Sequence, residues 1–173
     1  MADPSVFDAL RIPSETLIAL DHRGYHFALQ PWHHIVRMVH VVSSAAFFGG
    51  VIVLDLRLIG IRRAANLGPF SADILPWLYG MFAISIITGC LLFLYDPVHV
   101  GSHAYFMPKL LLIFFGIANA GFYNYFAYES ALNSNNSLPR SAKLAGSISL
   151  AVWLSVMACA SLNAEPAPKV LLR

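Results

Sequence analysis

Four long stretches of this chain are almost wholly apolar, and polar punctuation separates them. The first runs from about His33 to Leu58 and the second from about Ile74 to Tyr95. The third runs from about Ala104 to Tyr128 and the fourth from about Lys143 to Leu162. Each reaches the roughly 20 residues an α-helix needs to cross a bilayer. A membrane barrel would instead show segments of about ten residues in apolar–polar alternation, and the sequence has none. The connections IRRAANLGPFSAD, DPVHVGSHAYFMP and ESALNSNNSLPRS are marked by Gly, Pro, Asn and Ser. Connections this short favour antiparallel neighbours. The predicted fold is therefore all-α and integral to the membrane: a four-helix, up-down-up-down transmembrane bundle over residues 32–163. An N-terminal interfacial segment over 1–31 precedes it, and a C-terminal tail over 164–173 follows. Within the first segment, PSETLIALDHRGYHFALQP predicts a short helix at the membrane surface, capped at Ser14 and ended by Pro31.

Composition agrees with a lipid setting. Hydrophobic residues make up 58% of the 173 and charged residues 12%, about half the charge of an ordinary soluble domain. A net charge of +2 gives no basis for a nucleic-acid partner. Cys90 and Cys159 lie in apolar runs without a CxxC partner, which predicts core thiols. The N-terminus carries acids early and no apolar signal region, so the first span is expected to act as its own insertion signal.

The cations set an orientation. The side on which the first span begins holds Arg11, Arg23, Arg37, Lys109, Lys169 and Arg173. The opposite side gathers Arg57, Arg62, Arg63, Arg140 and Lys143 into its two loops. Positive charge concentrates in cytoplasmic loops. That predicts a multi-pass protein of the bacterial inner membrane with both termini in the periplasm.

Histidine sharpens the picture. His22, His26, His33, His34 and His40 precede or open the first span, and His99 and His103 join the second to the third. All seven fall on the periplasmic side. At about 100° per residue, His33, Arg37, His40 and Ser44 form one stripe, which Val51 and Asp55 extend. Ionisable groups inside a span normally face the bundle interior. His40 lies roughly 10 Å deeper than His33, which suits an internal ligand.

A b-type haem takes two axial imidazoles and needs room for its ring. Small residues follow His40, from Ser43 to Ala46 and at Gly49 and Gly50. Arg37 and Lys109 are cations suited to propionates, and Phe47, Phe48, Tyr105 and Phe106 could flank a ring. The expected site is His40 as one axial ligand and His103 as its leading partner, with His99, His33 and His34 behind it. Arg37, Lys109 and Ser44 would complete it. No catalytic residue is expected. Plainer readings stand beside this one. His33 and His34 next to Trp32 fit interfacial anchors, Arg37 can snorkel, and Gly49–Gly50 suits helix packing. Asp55 suits an ion pair near Arg62, while Asn119 and Asn124 suit interhelical hydrogen bonds.

The segment VRMVHVVSSAAFFGGVIVLDLRLIG resembles small bacterial four-helix membrane proteins of uncharacterised function. These are related in pattern to copper-resistance-D-like proteins and b-type di-haem cytochromes. The residues that carry the likeness are His40, Gly49, Gly50, Asp55 and Arg57, then Phe106, Lys109 and Asn119 in GIANAG. The resemblance implies a haem-binding electron carrier or copper handling. Di-haem cytochromes place histidines near both membrane faces, and this chain has none on the cytoplasmic side, so one haem is the expectation. Such a protein would exchange electrons with a quinone pool, a membrane enzyme or a periplasmic carrier, as a component of an oxidoreductase complex. Two alternatives stand: a cofactor-free accessory subunit packed on a larger respiratory or photosynthetic complex, and copper binding or transport through His with Met38 and Met107.

Overall fold

The computed structural model describes residues 11–61, 67–126 and 139–164. Every regular element among them is helical. The helices are α1 (Ser14–Leu20), α2 (Arg23–Leu29), α3 (His33–Ile59), α4 (Leu67–Tyr95), α5 (Pro97–Gly101), α6 (Phe106–Phe126) and α7 (Arg140–Ala164). Four helical stretches have the length and apolar composition to cross a membrane: Arg23–Ile59, Gly68–Tyr95, Phe106–Tyr123 and Arg140–Ala164.

Boundaries depart from the sequence expectation in three places. The expected N-terminal helix is two, α1 and α2, and Pro13 rather than Ser14 holds the N-cap position of α1, with no side-chain cap. Pro31 does not end the helical path. A 3-10 turn over Gln30–Trp32 carries α2 into α3, and a proline in a first helical turn forgoes no hydrogen bond, because the N–H groups there lack intrahelical partners. For the same reason Pro69 sits in the first turn of α4 rather than in a loop, and α4 begins seven residues before Ile74, at Leu67. The DPVHVGSHAYFMP connection also contains a helix. Asp96 caps α5 by accepting the His99 N–H at 3.0 Å.

Partner residues give the topology. His40 of α3 meets Ser85 of α4, whereas Arg57, further along α3, lies over Phe70 at the start of α4. Phe47 packs on Trp153 of α7, whereas Leu58 packs on Ala142. Asn119 of α6 bonds Ala145 and Tyr105 bonds Asn163. Thus α3 runs antiparallel to α4 and α7, and α6 antiparallel to α7. At the end of α3, Gly60 adopts φ 95° and lets Ile61 N–H reach Leu56 C=O at 3.1 Å, a closure that favours glycine.

The core is a small aromatic and aliphatic cluster of Phe47, Val51, Leu78, Trp153 and Val156. Outside it, large apolar side chains point away from the bundle, among them Phe114, Phe115, Ile87 and Val42. Water would not tolerate so continuous an apolar surface on a monomer. A lipid surrounding would remove that penalty, and close packing would then have to hold the helices together. Small residues supply it. A Cβ on Gly146 would stand 2.8 Å from Leu58 Cβ and 3.2 Å from the Asp55 carbonyl, so glycine lets α3 and α7 approach closely. Gly50 likewise receives Leu78 and Trp77, so this part of the small-residue stretch packs helix on helix.

Candidate functional site

Two polar clusters interrupt the apolar interior, one toward each end. At the histidine end, the His40 ring lies against Gly89 of α4, whose absent Cβ would sit 3.0 Å from it. His40 Nδ1 is 2.9 Å from the Ser85 carbonyl oxygen and 3.1 Å from Thr88 Oγ1. A carbonyl only accepts, so Nδ1 carries a proton and donates; in the neutral ring Nε2 keeps its lone pair. Thr88 Oγ1 donates to Ile84 C=O at 2.6 Å, and the Ser44 and Ser85 hydroxyls pair at 2.6 Å. Lys109 is within electrostatic reach of His40. Of the expected site, this brings together His40, Ser44 and Lys109.

The other expected residues lie apart. Arg37 is exposed. His33 stacks on Tyr95 at 4.3 Å and touches His34 edge-on. His26 also stacks on Tyr95, at 4.5 Å, and donates from Nδ1 to the Tyr95 carbonyl at 3.0 Å. These two rings clamp the end of α4 to the start of the first span. His22 caps α2 by accepting from Gly24 N–H at 3.2 Å. His99 and His103 contact each other at 5.1 Å, with His103 Nδ1 donating to the His99 carbonyl at 2.7 Å. No group of three or more His, Cys, Asp or Glu able to hold a metal ion occurs among the described residues. Cys90, expected in the core, is exposed, and Cys159 is half-buried. Arg62, expected near Asp55, lies outside the described residues, as does the Asn124 side chain.

The second cluster has space beside it. A cavity of about 280 Å³ lies toward the Asp55 end, between α3, α4, α6 and α7. Its floor is buried: Phe47, Val51, Asp55, Leu78 and Trp153. Tyr79 of α4 and Ile117 and Ala120 of α6 also line it but are themselves exposed, so they form its rim. The reason is in the packing: α4 and α6 make little backbone contact, and at the histidine end Phe93 stacks on Phe106 at 5.3 Å. The gap below that contact is the mouth, and it faces the lateral surface of the bundle.

Asp55 is 3% exposed. The Ser149 hydroxyl hydrogen-bonds its side chain, but Oδ2 has no hydrogen-bond partner among the described residues. The Asn119 amide, which also lines the cavity, gives one N–H to Ala145 C=O at 3.1 Å and none to Oδ2. Arg57 does not turn to Asp55; its guanidinium lies 3.5 Å above the Phe70 ring. An enclosed oxygen without a donor is rare in a folded protein and asks for a reason. The sequence placed Asp55 on the inward stripe and marked Asn119 for an interhelical hydrogen bond, which it makes to Ala145, but no spacing announces Ser149.

Comparison with models of protein families, with curated proteins and with solved structures found no match. The geometry of these two clusters therefore carries the functional argument.

Proposed function

We propose that this chain is a four-span integral membrane protein that binds a lipid-soluble small molecule in the cavity between α4 and α6. The observation that carries the reading is the cavity itself: about 280 Å³, walled by apolar and aromatic groups, with one buried oxygen lacking a partner. Ligand sites are typically concave and apolar with a few placed polar groups. A lateral mouth suits a ligand that arrives through the acyl chains. The protein sits in the bacterial cytoplasmic membrane with its Arg57, Arg140 and Lys143 end inside, following the bias of positive charge, and both chain ends are periplasmic. Neutral tert-butylbenzene tests the reading. In purified protein with Trp32→Phe and Trp77→Phe, Trp153 is the one tryptophan left of three. The ligand should change its emission saturably, and Ala120→Phe at the mouth should weaken that response. A response that never saturates, or one indifferent to Ala120→Phe, defeats the proposal.

A second reading rests on His40. A ligating histidine usually gives its other ring N–H to a carbonyl or carboxylate, and His40 Nδ1 does so to Ser85. That arrangement fits one axial imidazole of a b-type haem near the periplasmic face, in a protein exchanging electrons with a quinone pool or a partner enzyme. The fit stops there: the rings of His99 and His103 contact each other, and no ring contact joins His40 to a second histidine among the described residues. A visible spectrum of the purified protein tests it. A reduced b-type band lost in His40→Ala supports haem, and a colourless protein from haem-replete cells removes it.

A further inference from the structure

The cavity's walls define the charge of what it holds. The cavity that Asp55 lines is also walled by the rings of Phe47, Phe82, Tyr79, Tyr123 and Trp153. Aromatic faces attract cations through their quadrupoles, and the attraction grows when water is excluded. No Lys, Arg or His lines the cavity among the described residues, so nothing basic there would receive an anionic ligand or the phosphate of a zwitterionic lipid head. Asp55 Oδ2 is enclosed and lacks a donor, while the carboxyl's resolved partner is a neutral hydroxyl, Ser149. A buried carboxylate is ordinarily paired with a positive charge. We propose that the cavity between α4 and α6 binds a monovalent organic cation with an apolar body, an alkyl- or arylammonium, with Asp55 as the counter-ion of its onium group and the aromatic walls around the rest of the molecule.

The proposal rests on the small-molecule reading of the same cavity, and the test separates the two. Phenyltrimethylammonium and tert-butylbenzene share a shape and differ by one charge. Each is titrated into the single-tryptophan protein and into its Asp55→Asn variant, which keeps the side chain's shape. Removing one member of a desolvated charge pair typically weakens binding by at least about tenfold. Asp55→Asn should therefore bind phenyltrimethylammonium at least about tenfold more weakly and tert-butylbenzene unchanged. The retained neutral ligand shows that the variant is folded and its cavity intact. Equal weakening of both ligands, or no weakening of the cation, overturns the counter-ion role. Binding of tert-butylbenzene alone to the parent protein overturns the cation proposal and leaves the lipophilic site standing. Binding of neither ligand removes both.

Discussion

At the histidine end of the bundle, His40 Nδ1 has two acceptors within 3.1 Å. At the other end Asp55, more deeply enclosed, has an oxygen with no donor among the described residues. Both residues sit on α3 and interrupt an apolar helix, yet their energetics have opposite sign. A satisfied bond between helices inside a membrane contributes on average about 0.6 kcal/mol. A buried group left unpaired costs about 1–3 kcal/mol. The histidine cluster therefore explains itself as structure: it fixes α3 on α4 whether or not anything binds. Asp55 opposes folding of the unliganded protein, and the cavity beside it supplies the reason for keeping it. A polar group that stabilises its own fold says little about function, whereas one that does not points outward to a ligand.

The largest expected effect tests the platform on which Asp55 stands. Gly146→Leu would drive a side chain into Leu58 and the α3 backbone at Asp55, and should lower stability by about 2–3 kcal/mol. Gly49→Leu, where nothing lies within 4 Å, should be tolerated. Unfolding both variants in mixed micelles checks the contrast. If the two changes prove equal, α3 and α7 are not in close contact there.

A smaller effect is expected at the histidine end. His40→Ala should lower stability by about 1 kcal/mol and leave tert-butylbenzene binding within about twofold, since such a deletion is local. A loss of ligand binding as large as that caused by blocking the mouth would merge the two regions into one site. Smallest of all is Arg37→Gln. Arg37 is exposed, so the unfolding midpoint should stay where it is. A clear drop would show that Arg37 has a partner inside the bundle.

The sequence made some of this legible. Spans declare themselves because apolar length is a local property: three of the runs fall within long helices, and the third, from about Ala104, is helical from Phe106. The N-terminus of α4 was hidden because Pro69 looks like a loop signal until it is placed in a first turn. His40 was readable as inward-facing, since depth along one helix follows from residue count. Arg37 shares the same nominal stripe and yet is exposed, because the buried line of α3 follows Ser43, Phe47, Val51, Asp55 and Leu58. Periodicity gives a broad face, and only the neighbouring helices decide which edge of it is covered. The clustering of histidine on one side was visible, but its division into a Tyr95 clamp, a His99–His103 contact and a lone interhelical ring was not. The Asp55 site was least legible. It joins α3 to Asn119 of α6 and Ser149 of α7, and its cavity exists because α4 and α6 stand apart, a property of no single segment.

The most direct measurement compares the ligand-free stability of Asp55→Leu with that of the parent protein in the same mixed micelles. Leucine has the same branched skeleton and no polar atom, its bulkier methyls have the adjoining cavity to enter, and the Ser149 hydroxyl can turn to the carbonyl one turn back along α7. Replacing an unsatisfied buried group by an apolar one of similar shape is neutral to stabilising. Asp55→Leu should therefore unfold at the same denaturant concentration as the parent or a higher one. A loss of stability comparable to that of Gly146→Leu would show that Asp55 is bound to the fold itself, and would contradict its assignment to a ligand.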